Sequence, residues 1–121
     1  MLKITKTAPD RVDIALEDTL DSDGMRAGLD DLLRLSEGMT AGKMLYTIRD
    51  FSFPSLGALA VELSYMPQLL RMIGRFDKCA VCTDSGWIGK AAEVEGALIP
   101  GLEIEAFGLD EVAKAEAWLA A

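Results

Sequence analysis

Six consecutive residues constrain this chain more than any others: Lys78-Cys79-Ala80-Val81-Cys82-Thr83 is apolar at both alternating positions through its centre. A strand with one face in water alternates apolar and polar side chains, so an unbroken apolar run reads as a central parallel strand buried on both faces. Both faces of the sheet then need cover, and the flanking sequence supplies the elements for it. Leu2 and Ile4, then Val12, Ile14 and Leu16, alternate with polar neighbours on either side of Ala8-Pro9-Asp10, which predicts two half-buried strands joined by a turn. Met25, Leu29, Leu32 and Leu33 fall on one face of a helix capped by Asp21 or Ser22 and ended by Gly38. Met44, Leu45, Tyr46 and Ile48 make a third strand ending at Arg49-Asp50. After Asp84-Ser85-Gly86, a helix with Trp87, Ala91, Val94 and Leu98 on one face runs to Pro100-Gly101. Leu102, Ile104 and Ala106 form a last strand, and Asp110 opens a terminal helix holding Val112, Ala115, Trp118 and Leu119.

Between the third and fourth strands lies the most apolar part of the chain. Leu56, Leu59, Ala60 and Leu63 make one helical stripe and Ala58, Val61 and Tyr65 a second, leaving Ser55, Glu62 and Ser64 as a narrow polar face. Pro67 clashes inside a continuous helix but suits the first turn of a new one, which predicts a break near Met66 and a second short helix to Arg75. In that second helix Gln68, Arg71 and Arg75 line one face, while Leu69, Leu70, Ile73 and Phe76 occupy the others. Two such helices offer more apolar surface than one face of a sheet can hide. The whole stretch from Phe51 to Phe76 still holds Glu62, Arg71, Arg75, Pro54 and Pro67, which is incompatible with a membrane span of about 20 uninterrupted apolar residues. The order ββαβααβαβα describes an α/β domain, residues 1–121, with a mixed sheet of about five strands covered by helices.

Charge and composition exclude several chemistries. Twelve basic against twenty acidic residues leave a net charge of -8, which opposes a phosphate backbone and argues against nucleic-acid binding. Histidine is absent, which removes Ser-His-Asp and Cys-His catalysis, imidazole zinc sites and a histidine pH switch. The segment Gly38 to Lys90 departs from the whole, with six basic and four acidic residues. The start, Met1-Leu2-Lys3-Ile4-Thr5-Lys6, lacks the apolar core of a signal peptide, so a cytoplasmic location is expected.

Three constellations carry a chemical reading beside a structural one. Cys79 and Cys82 have the C-x-x-C spacing of redox pairs, but residues three apart on a strand point to opposite faces, so they read as buried structural thiols. Asp50 and Asp84 each end a strand where ligands of open α/β sheets bind and could hold Mg²⁺, or each could cap the loop that follows. No glycine-rich phosphate loop accompanies them, and no metal or cofactor is assigned. Ser55 stands at a helix start, where either a capping hydroxyl or a phosphate is favoured.

The tail of the chain has the pattern of a known family. An apolar strand running into Asp84, Trp87 opening a helix, an alternating strand ending in Phe107 and a last helix with Ala117-Trp118-Leu119 resemble the SpoIIAA-like family of small bacterial proteins. The opening hairpin, helix and strand order extend the resemblance over essentially the whole chain. It implies a STAS-like fold related to anti-sigma-factor antagonists and, more distantly, to CRAL-TRIO lipid-binding domains. It also implies no catalytic activity, with apolar ligand binding and membrane association through mobile helices after the third strand, which here are the helices from Ser55 to Arg75. The antagonists carry Asp-Ser-Ser/Thr-Gly at the start of that region, and the first serine is the one that is phosphorylated. This chain reads Pro54-Ser55-Leu56-Gly57, so the acceptor Ser55 and the glycine carry over while the aspartate and second hydroxyl do not.

The expectation is a non-enzymatic module for an apolar small molecule or lipid chain, with peripheral attachment at the inner face of the membrane. Leu59, Leu63, Tyr65, Met66, Leu69, Leu70, Ile73 and Trp87 are its candidate apolar face, and Arg71 and Arg75 its headgroup contacts. The alternative is a regulatory protein-interaction domain switched by phosphorylation at Ser55. A homodimer through the same face is also open.

Overall fold

Alternation in the first sixteen residues is answered by pairing. In a computed structural model, which describes residues 2–17, 21–49, 56–84, 86, 90, 92–93 and 101–121, β1 (Leu2–Ala8) and β2 (Arg11–Glu17) form an antiparallel hairpin. Ile4 lies opposite Ile14 and Leu2 opposite Leu16, so the apolar set of each strand shares one face. The remaining strands, β3 (Gly42–Arg49), β4 (Phe76–Thr83) and β5 (Glu103–Phe107), add in parallel, giving the order β1-β2-β3-β4-β5.

β4 is buried on both faces, as its composition requires. Cys79 and Val81 join Val12, Ile14, Met44 and Ile48 on one side, while Ala80 and Cys82 join Leu45 on the other. The first side is covered by α1 (Ser22–Leu35), α2 (Leu56–Ser64) and α3 (Met66–Ile73). The second is covered by α4 (Val112–Ala120), through Ala115 and Leu119. Lys78 ties α4 down: its ammonium reaches the carbonyls of Trp118 at 3.0 Å and Ala121 at 2.8 Å, at the helix end where a cation is favoured.

Each helix starts and stops for local reasons. Asp21, not Ser22, caps α1, its carboxylate accepting from Gly24 N at 2.8 Å. The helix runs to Leu35, and Gly38, at φ +78°, turns the chain back. α2 and α3 part at Tyr65, with Pro67 in the first turn of α3, as its missing N–H permits. α3 ends at Ile73 rather than Arg75, because Gly74 closes it and the Arg75 carbonyl accepts from Gly42 N at 2.8 Å to start β3 and β4 side by side. The predicted helix from Trp87 to Leu98 lies mostly outside the described residues; Lys90, Ala92 and Glu93 within it are helical. A turn of 3₁₀ helix at Leu109–Glu111, not anticipated from sequence, leads into α4.

Candidate functional site

The helices between β3 and β4 have an inner and an outer side. Val61 of α2 packs with Met25 and Leu29 of α1, and Tyr65 and Leu69 lie against the same three side chains. Met72 is buried in the main core, where Leu69 and Ile73 also pack. This inner set fills the space between the helices and the sheet.

The outer side shows three large apolar side chains to solvent. Leu63 is 68% exposed, Leu70 62% and Met66 37%. Spacings of three and four residues, carried across the Tyr65 break, put them in one strip with Pro67 and Arg71, both exposed. No ion pair is made to Arg71 among the described residues.

The face expected from sequence therefore divides. Leu63, Met66, Leu70 and Arg71 stand outward, whereas Leu69 and Ile73 pack inward because they follow the buried Val61 and Met72 around the helix. Tyr65 turns to α1, its hydroxyl donating to Asp30 Oδ1 at 2.6 Å, and this bond raises the phenol pKa. Arg75, expected as a headgroup contact, has partners within the fold. Its guanidinium donates to Leu33 O at 3.2 Å and to the buried Ser36 Oγ at 3.0 Å, satisfying the C-terminal end of α1. The Leu59 side chain, Trp87, Ser55 and Asp50 lie outside the described residues. Ser36 and Asp30, the partners that decide these orientations, were not singled out by sequence reasoning, since each is more than thirty residues from the group it holds.

A second region is an open depression of about 260 Å³ beyond the carboxyl ends of β4 and β5. Thr83, Asp84, Lys90, Glu93, Phe107 and Glu111 line it. Two of its carboxylates are engaged in holding the chain. Glu93 Oε2 accepts from Ala106 N at 3.3 Å, on the outer edge of β5, and Glu111 Oε1 accepts from Gly108 N at 2.9 Å. The Gly108 bond, aided by Lys114, holds the Glu111 carboxyl below its usual range. Among the described residues no three His, Cys, Asp or Glu side chains converge as a metal would require. Asp84 follows the end of β4, as its sequence context predicts, and the spacing of Gly108 and Glu111, half of a capping box, is the sequence signal for the bond between them.

The two thiols occupy opposite faces of β4, as expected from their spacing. Burial pushes Cys79 up to about 12 and raises Cys82 as well, so both are neutral at physiological pH and unsuited to redox exchange. No helix among the described residues is long and apolar enough to cross a membrane.

Similarity to known proteins agrees with this architecture. The chain is similar to an uncharacterized protein from the DUF3478 family with a SpoIIAA-like fold from Shewanella loihica PV-4, with a TM-score of 0.71 and 18% identity. The match covers 98% of this chain and 92% of that one, and at that identity it shows the fold. No curated protein matches the chain. The sequence model of the SpoIIAA-like family matches residues 11–120, from the first residue of β2 to the last of α4. Family and fold agree over nearly every described element, and the chain belongs to the SpoIIAA-like family.

Proposed function

We propose that this STAS-type domain is a non-enzymatic binding module that attaches reversibly to a lipid surface through the outer side of α2 and α3. The observation that carries the reading is the exposed strip of Leu63, Met66 and Leu70 beside Arg71. Full burial of such a side chain is worth about 1.5–3 kcal/mol. Three of them, starting partly buried, supply about 3–5 kcal/mol, enough for weak peripheral attachment. Arg71 at the same surface adds about 1 kcal/mol when the lipid is anionic. A lipid chain lying between helices and sheet is a poorer fit, because Val61, Leu69, Met72, Met25 and Leu29 already occupy that space. Within a cell the reading corresponds to a cytoplasmic protein at the inner face of the membrane.

Vesicle co-sedimentation tests it. The protein is expected to pellet with zwitterionic vesicles, and Leu70→Glu to abolish pelleting without lowering the unfolding temperature, since Leu70 is largely in solvent. Arg71→Gln, which removes the charge, is expected to weaken binding about fivefold on vesicles containing anionic lipid and to leave zwitterionic binding unchanged. Failure of the native protein to pellet, or full binding by Leu70→Glu, overturns the proposal.

The net charge of -8 favours a second reading in which the same strip docks a regulatory protein. Ser55 immediately precedes α2 in the sequence, and phosphorylation there adds a dianion. Loss of a partner on Ser55→Asp, in a protein that does not bind vesicles, supports this reading over the first.

A further inference from the structure

We draw no further inference here: the strongest candidate, the open depression at the carboxyl ends of β4 and β5 lined by Asp84, Lys90, Glu93 and Glu111, is an acidic cluster whose Glu93 and Glu111 carboxylates already accept backbone hydrogen bonds, and no second feature points to a ligand there.

Discussion

Arg75 shows how one side chain changes meaning once its partner is known. On a helix it reads as a surface cation, yet its guanidinium joins the end of α3 to the end of α1 through Leu33 O and Ser36 Oγ. Arg75→Met keeps the aliphatic stem and removes these bonds, so stability should fall by about 1–3 kcal/mol while vesicle binding stays intact. Denaturant unfolding beside vesicle binding checks this; unchanged stability with weakened binding would put the guanidinium at the lipid. Tyr46 and Cys79 make a second prediction at the same scale. Burial pushes both up to about 12, from ordinary values near 10 and 9. Both are acids kept neutral by the fold, so the unfolded chain loses their protons first as pH rises. Their contribution is complete below about pH 9 and is lost as pH climbs towards 12, where stability should drop by several kcal/mol. Denaturant unfolding across that range should show the decline. The double variant Tyr46→Phe, Cys79→Ala should flatten it, and an equally steep decline in that variant would place the cause elsewhere.

At the scale of elements, α1 meets β1 through a missing side chain. A Cβ on Gly28 would fall 2.2 Å from Leu2 Cδ2 and 2.7 Å from Leu2 Cγ, so β1 can seat Leu2 against the helix only because position 28 is glycine. Alanine is better than glycine inside a helix by about 1 kcal/mol, but the overlap with Leu2 costs about 1–3 kcal/mol. Gly28→Ala should therefore be neutral to destabilising by about 2 kcal/mol, and Leu2→Ala in the same chain should recover the helix gain; thermal unfolding of the single and double variants decides. Such pairings explain what the sequence shows and what it hides. The two-sided burial of β4 was legible because six residues record it directly, and the break at Tyr65 because proline enforces it. The orientation of α2 and α3 was not legible, since apolar residues on nearly every side of α2 give no polar face to mark solvent. Tyr65 and Leu69 are turned inward by α1, through Asp30 and through Met25 and Leu29, and local spacing carries no trace of these distant contacts.

Over the whole molecule, apolar attachment and acidic charge act against each other. The outer strip of α2 and α3 offers the cation Arg71, while the chain as a whole carries -8. Acidic residues of the neighbouring α1 are partly engaged, with Asp30 accepting from Tyr65 and Asp31 and Asp23 pairing with Arg34 and Arg26, while Glu62 is next to Leu63 in the sequence of α2. The two charge effects differ in range. Arg71 acts at the contact itself, but the acidic body is repelled from an anionic surface over a distance set by the Debye length, about 30 Å at 0.01 M salt and about 8 Å at 0.15 M. Adding salt over that interval screens the long-range repulsion more than the short-range attraction. Binding to anionic vesicles should therefore strengthen as salt rises to physiological strength, opposite to the behaviour of a polybasic membrane protein, and binding to zwitterionic vesicles should hardly change. Co-sedimentation at the two salt concentrations measures this. Weakening on anionic vesicles would mean that basic groups outside the Arg71 strip make the contact, and the apolar strip would no longer account for attachment.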